Sequence, residues 1–189
     1  MRSAHGIFVF LRSMVDNPTR IGAVLPSSSA LARLMAKQIR LSPGEAIVEI
    51  GAGTGVVTAA LLEAGVPRDA LYVVELDPRL AEYLRKRFPG VEILQGDAAT
   101  LPDLLPAHRI GRIASVVSSL PIRPMSKSVQ KSIVEAAFAV LKPKGSFIQY
   151  TYPPFSPLRD PSLNIQGTRL GRIWFNVPPA AVWRFQKKV

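Results

Sequence analysis

A chain of 189 residues with 48% hydrophobic and 20% charged side chains is long enough for one substantial domain and compositionally far from a disordered segment. It has no cysteine and only two histidines, His5 and His108, which excludes disulfides, thiolate metal sites, a cysteine nucleophile and a histidine-rich metal centre. Lysine and arginine outnumber the acids 24 to 13, a net charge of +11, and that balance points to an anionic partner, either nucleic acid or a negatively charged membrane.

At the N-terminus Ile7, Phe10, Leu11 and Met14 recur at helical spacing, with Phe8 and Val15 widening the stripe, Arg2, His5, Arg12 and Asp16 on the polar positions and Pro18 ending the pattern. A helix of ~13 residues is about 20 Å long, too short for a ~30 Å hydrocarbon core and suited to lying in the interface. No apolar stretch reaches the ~18 residues of a spanning helix, and no signal-peptide cleavage pattern follows this segment. Gly22-Ala23-Val24-Leu25-Pro26 reads as a loop, and Ser27, Ser28 and Ser29 offer N-caps for a second helix, with Leu31, Leu34, Met35 and Ile39 on its buried face. Ser42-Pro43-Gly44 breaks it.

Strands and helices then alternate. Ala46–Ile50, Leu71–Leu76, Val91–Gln95, Ile113–Ser118 and Ser146–Tyr152 read as strands. Helices are expected from about Val56 to Ala64, from about Pro78 to Phe88 and over Lys127–Leu141. Such alternation implies right-handed crossovers and a mainly parallel sheet with helices on both faces. Arg172–Val177 and Ala181–Lys187, on either side of Pro178-Pro179, read as an antiparallel ending. One domain over 1–189 is expected, with residues 1–40 an N-terminal helical segment that serves as membrane contact or lid and 41–189 the core. Charge follows this division, +5 over residues 1–40, −4 over 41–100 and +10 over 101–189, so two surfaces with different tasks are expected.

The strongest motif is Val48-Glu49-Ile50-Gly51-Ala52-Gly53-Thr54-Gly55, a strand running into a turn whose glycines let backbone approach a ligand, with a helix just beyond. A dinucleotide fingerprint would place its third glycine at Val56; here it comes one residue earlier, at Gly55. Glu49 would repel a pyrophosphate and suits a ligand that carries an ammonium and a sulfonium. Read as structure alone, Glu75 and Asp97 would be helix caps or solvated loop acids, and His5 and His108 fall in no motif.

The Glu49-x-Gly51-x-Gly53-x-Gly55 pattern resembles motif I of class I S-adenosylmethionine-dependent methyltransferases. The resemblance implies an α/β, Rossmann-like, mainly parallel seven-stranded sheet with an antiparallel C-terminal strand, no metal, and S-adenosylhomocysteine as product. Glu75, ending Val73-Val74-Glu75-Leu76-Asp77, resembles the acid that binds both ribose hydroxyls, and Asp97, in Gln95-Gly96-Asp97-Ala98, the acid that accepts the adenine amino group. Pro26, Ser27, Thr54, Leu76, Ala98 and Ser118 are the neighbouring cofactor contacts so implied. More broadly the chain resembles the small-subunit rRNA adenine dimethyltransferases, through Gly22–Pro26 and the Pro-rich turn Asn176-Val177-Pro178-Pro179.

Adenine N6-methyltransferases carry an Asn or Asp, then Pro-Pro or Leu-Pro, then an aromatic that stacks on the flipped base. Ser118-Ser119-Leu120-Pro121-Ile122-Arg123 keeps the Leu-Pro but has serine for the amide and Ile122 for the aromatic, which argues against a nucleobase acceptor. With the apolar-basic N-terminal helix, Gly22-Ala23-Val24-Leu25-Pro26-Ser27-Ser28 and Ser118-Ser119-Leu120-Pro121, the chain resembles the small bacterial phospholipid N-methyltransferases. That resemblance implies methylation of phosphatidylethanolamine towards phosphatidylcholine by a cytoplasmic enzyme peripherally bound to the inner face of the cell membrane. Ser118 and Leu120, through backbone carbonyls that orient the amine, and Tyr150 and Tyr152 are the candidate catalytic residues. Arg123 and Lys127 are candidates for the lipid phosphate, Phe155 joins the aromatic wall around the methylated ammonium, and Phe8, Phe10, Leu11 and Arg12 are candidates for membrane contact. Nucleic acid as acceptor, another small amine, and a non-catalytic cofactor sensor are the alternatives; methyl turnover separates sensor from enzyme.

Overall fold

Runs of β-branched residues bounded by glycine or proline become strands here, and amphipathic runs between them become helices. The computed structural model describes residues 26–152, 156–158, 160–174 and 179–188. The expected N-terminal helix with Phe8, Phe10, Leu11 and Arg12 lies outside the described residues, as do Phe155 and Asn176–Pro178. In chain order the elements are α1 (Pro26–Ala36), β1 (Ala46–Ile50), α2 (Val56–Glu63), β2 (Leu71–Glu75), α3 (Pro78–Arg87), β3 (Glu92–Gln95), α4 (Leu101–Leu104), β4 (Ile113–Ser118), α5 (Lys127–Val140), β5 (Leu141–Thr151), β6 (Ile165–Ile173) and β7 (Ala180–Lys187).

The seven strands form one sheet in the order β3-β2-β1-β4-β5-β7-β6. Pairs among β1–β5 are parallel, and β7 runs antiparallel to both β5 and β6. The expected mainly parallel architecture with an antiparallel strand is therefore what the chain forms. Central strands are buried end to end, β1, β2 and β4 without an exposed residue, as a sheet covered on both faces requires. One face packs Ile47, Val73, Val117 and Ile148 with α1, α2 and α3; the other packs Val48, Val74, Val116 and Phe147 with α4 and α5. Among the described residues no helix is long and apolar enough to cross a membrane.

Three local expectations change. The second helix starts at Pro26, so Ser27–Ser29 lie within α1 rather than capping it; proline's fixed φ and missing N–H suit a first helical turn. Leu31, Ala32 and Met35, with Ile39 just beyond the helix, are buried in the same cluster as α2 and the sheet, which makes α1 part of the packed core. β5 starts at Leu141, where α5 was expected to end, because Leu141 pairs Ile113 and Ser146 pairs Ser115, with the intervening residues bulged around Lys144 at φ 61°. β6 starts at Ile165, seven residues before the expected Arg172. Its first half, Gln166-Gly167-Thr168-Arg169, is an exposed edge and lacks the apolar alternation that marks a half-buried strand.

The strand order reverses at β1, which has β2 on one side and β4 on the other. In open α/β sheets the crevice beyond the carboxyl ends of such strands is where ligands bind. Backbone bonds continue one residue past the strands there: Gly51 N–H to Val74 O, Ser119 N–H to Ile50 O and Gly96 N–H to Glu75 O. The loops around the crevice are thereby fixed to one another.

Candidate active site

Gly51, Gly53 and Gly55 have φ of 71°, 57° and 82°, a region that costs other residues about 1–2 kcal/mol. Their surroundings differ. A Cβ on Gly51 would overlap the Leu120 side chain, and one on Gly55 would overlap Phe88 and come within 2.8 Å of Leu84 Cδ2, whereas one on Gly53 would meet nothing within 4 Å. Gly51 and Gly55 thus let loops and helix close on each other, while Gly53 backs on open space, where a ligand can approach the main chain.

Glu49 lies beneath this loop, fully buried. Its Oε2 accepts from the Thr58 hydroxyl at 2.6 Å, on the first turn of α2. Its Oε1 has no partner among the described residues. Burial pushes the carboxyl up to about 7, with the nearby Glu75 charge adding to the rise and the Thr58 bond opposing it. A buried carboxylate with one bare oxygen is a costly arrangement, and a cationic ligand in the loop above removes the cost by favouring the ionised form.

Glu75 ends β2, where its Oε2 accepts the Gly53 N–H at 2.9 Å and its Oε1 the Asp77 N–H at 3.0 Å. Burial raises its carboxyl above the ordinary range, against these backbone bonds. The Gly53 bond ties the glycine loop to β2 and the Asp77 bond holds the turn after the strand; a carboxylate has about four acceptor positions, so acceptor capacity remains for a diol. Asp97 is exposed beyond β3, with Oδ1 accepting the Ala99 N–H at 2.9 Å. It caps the short turn Ala98–Thr100, and that bond fixes the direction of the second oxygen. Around them Leu76 is half-buried, Ala98 buried and Thr54 exposed, the Thr54 carbonyl taking Arg87 Nη1 at 2.7 Å. Pro26 and Ser27 open α1, and nothing further is described of their side chains. Orphaned Glu49 Oε1, open space at Gly53 and the free positions on Glu75 and Asp97 fit a ligand with a cationic amino-acid end, a diol and a base, as S-adenosylmethionine has.

Across the crevice the loop after β4 is braced from below. Ser118 is fully buried and its Oγ accepts the Leu120 N–H at 3.4 Å. The Leu120 carbonyl accepts the Ile122 N–H at 2.9 Å and Gln149 Nε2 at 3.0 Å. Both lone pairs of the Leu120 carbonyl are thus occupied, and the Ser118 hydroxyl bonds within the same loop. Ser119, within the Ser118–Leu120 stretch whose carbonyls are expected to orient the amine, keeps acceptor capacity: its Oγ is buried without a partner among the described residues and its carbonyl takes a long 3.4 Å bond from Tyr150 OH. It stands directly before Leu120-Pro121, where the adenine enzymes carry their amide. Thr58 and Gln149 were missed in the sequence. Thr58 is a hydroxyl on an otherwise apolar helix, nine residues after Glu49, and Gln149 is an amide in the middle of a buried strand.

Tyr150 and Tyr152 meet edge to face, 5.7 Å between centroids at 80°. Burial, and then Tyr152, pushes the Tyr150 phenol up to about 12, and burial also raises Tyr152. Both stay neutral at physiological pH and serve as aromatic faces and donors, not as bases. Arg123 is exposed and its Nη1 donates to the Tyr152 carbonyl at 3.4 Å. Lys127, exposed at the start of α5, is one of the cations near Asp160, whose carboxyl lies below its usual range chiefly through Ser162. Tyr150, Tyr152 and Arg123 therefore converge beside Ser119; Lys127 sits farther along, in a mixed-charge neighbourhood.

Comparison with known proteins agrees with this geometry. Residues 47–145 match the family described as methyltransferase domain. Over 151 residues the chain is 32% identical to the ornithine lipid N-methyltransferase of Singulisphaera acidiphila, covering 78% of this chain and 79% of that protein. It is 31% identical to ribosomal RNA small subunit methyltransferase A of Thermotoga petrophila, covering 62% of this chain but 43% of that protein. The crystal structure of 1,6-didemethyltoxoflavin-N1-methyltransferase of Burkholderia thailandensis, with S-adenosylhomocysteine bound, superposes with a TM-score of 0.67 over 100% of this chain and 92% of that one at 15% identity, a likeness of fold. A domain match over more than half the chain, the identity to a lipid N-methyltransferase across most of both proteins, and the shared fold together make this chain a class I S-adenosylmethionine-dependent methyltransferase.

Proposed function

We propose that the chain methylates the primary amine of phosphatidylethanolamine, and of its partly methylated products, towards phosphatidylcholine at the inner face of the cell membrane. The observation that carries this reading is the acceptor side of the crevice. It joins a neutral tyrosine pair, an exposed Arg123 and the open acceptors of Ser119, with no carboxylate in residues 118–127 or 149–152. Glu49, the Gly51–Gly55 loop, Glu75 and Asp97 would hold S-adenosylmethionine, which would supply an electrophilic methyl group to the amine nitrogen with S-adenosylhomocysteine as the other product.

An ammonium has a pKa of about 10 in water, so the nitrogen must lose a proton before it attacks. The apolar, tyrosine-walled side favours the neutral amine by desolvation, and the Ser119 carbonyl orients its remaining N–H. As methyl groups replace N–H donors, the tyrosine faces hold the growing cation by cation–π attraction worth about 0.5–2 kcal/mol. Arg123, with Lys127 behind it, attracts the headgroup phosphate. Phe155, by its place in the sequence, extends the aromatic wall, and the apolar-basic stripe of Phe8, Phe10, Leu11 and Arg12 suits an interfacial helix.

The ornithine lipid relative favours a second reading, an amino-acid lipid whose carboxylate takes the phosphate's place at Arg123. Labelled S-adenosylmethionine incubated with vesicles of phosphatidylethanolamine and phosphatidylglycerol, with ornithine lipid and with RNA in parallel, separates these. Label in mono-, di- or trimethylated phosphatidylethanolamine supports the first reading; label in ornithine lipid alone moves the assignment to the second. Label confined to RNA would sink both.

A further inference from the structure

β6 ends at the same edge of the sheet as the active site. Thr151 pairs Ala181 and Ala181 pairs Arg172, so Arg172 lies two strand spacings, about 10 Å, from the end of β5. Trp174, two residues on, is 66% exposed, the most exposed large apolar side chain among the described residues. The Arg172 guanidinium carbon sits 5.3 Å from the centroid of its ring, and the Arg172 side chain is half-buried. An indole held out in water beside a cation does nothing for the core. At a membrane surface the same pair is satisfied: indole settles at headgroup depth and guanidinium faces anionic lipid.

Charge selects the side that would face such a surface. Residues 118–127, 149–152 and 172–174 contain Arg123, Lys127 and Arg172 and no acid, with Asp160 near Lys127 alone of the three. On the opposite half of the same edge Glu75 is buried and Asp77 is paired with Arg79, and the exposed acid is Asp97, which anionic lipid repels. We propose that Trp174 and Arg172 form a membrane anchor that seats the acceptor half of the sheet edge on an anionic phospholipid bilayer. The anchor rests on the lipid reading above and is separate from the N-terminal helix. It delivers lipid headgroups directly to the tyrosine wall, without the enzyme having to extract a lipid into water.

The test uses the full chain and vesicles of equal parts phosphatidylcholine and phosphatidylglycerol with brominated acyl chains. Tryptophan fluorescence should be quenched in the wild type, and most of that quenching should vanish in Trp174→Phe, which leaves Trp183 in place. Arg172→Ala should weaken vesicle partition about fivefold and Trp174→Ala by more, with cofactor affinity and methylation of lipid in detergent micelles unchanged. An unquenched Trp174 with unaltered partition in both alanine variants would overturn the anchor. So would variants that lose retention on RNA while keeping vesicle binding. Absence of any methyl transfer to micellar lipid would overturn the substrate assignment instead, and vesicle quenching would still decide the anchor.

Discussion

The two halves of one sheet edge, β3-β2-β1 and β4-β5-β7-β6, share the strand-loop-helix architecture and treat polar groups differently. In the first, carboxylates are placed and tied: Glu75 is held by the Gly53 and Asp77 amides and Asp97 by Ala99. In the second there is no carboxylate, only phenols, a serine and the Arg123 guanidinium, and the fixed hydrogen bonds run underneath, from Gln149 to the Leu120 carbonyl and from the Leu120 N–H to Ser118. On the proposed function the contrast follows from the ligands. A cofactor presents the same ammonium, diol and base at every turnover, so prepositioned partners are favourable. An amine that loses an N–H at each methylation would leave a prepositioned acceptor unpaired, so a wall of aromatic faces suits it better.

The largest effect expected from breaking this arrangement is at Gly51. Gly51→Ala meets both an unfavourable φ and the Leu120 side chain, and should cost about 2–4 kcal/mol of stability with loss of activity. Gly53→Ala meets only the φ penalty, about 1 kcal/mol, and should keep its fold while cofactor affinity falls. Thermal melts alongside cofactor titrations check the pair; equal destabilisation would show that the two glycines are not distinguished by packing.

Next comes Glu49→Gln, expected to weaken cofactor binding about 10- to 100-fold by removing a charge-assisted contact. Because the folded carboxyl titrates near 7, wild-type affinity should tighten as pH rises through 7 and ionises it; the glutamine variant should show no such rise. The unliganded protein should show the reverse trend. Between 4.5 and 7 the folded state holds a proton on Glu49 that the unfolded chain has released, so stability falls as pH rises through that window, and Glu49→Gln should reduce the slope, leaving the part that the raised Glu75 carboxyl contributes. Calorimetry across the range reads both.

The smallest effect belongs to the acceptor half. Tyr152→Ala should raise KM for the lipid about two- to tenfold, most for the dimethylated substrate, and leave cofactor affinity unchanged. An equal rise for all three methylation steps would remove the cation–π role.

Much of the cofactor half was legible because its chemistry sits in contiguous residues. Glu49-x-Gly51-x-Gly53-x-Gly55, Glu75 and Asp97 each follow a strand whose run of β-branched residues is plain in the sequence. The acceptor half was legible in outline only. Tyr150 and Tyr152 stand out in the sequence as aromatics at the end of the β5 run, whereas the bonds of the Ser118 hydroxyl and the Leu120 carbonyl within their own loop, and the acceptor capacity left on Ser119, do not. Which of three consecutive residues turns outward depends on the bonds from Gln149 and Tyr150, 29 and 31 residues away.

The sequence by itself determined the strand-helix alternation, the parallel sheet with its antiparallel strand and the order of the cofactor motifs, because these rest on local periodicity and on glycines needed at positive φ. Tertiary structure alone decided that Gly51 is fixed by Leu120, that Glu49 keeps a bare buried oxygen, and that Trp174 reaches the same edge as Tyr152. Each of these depends on strand order and register, which bring residues distant in the chain to within a few ångströms, and no local pattern encodes such distances.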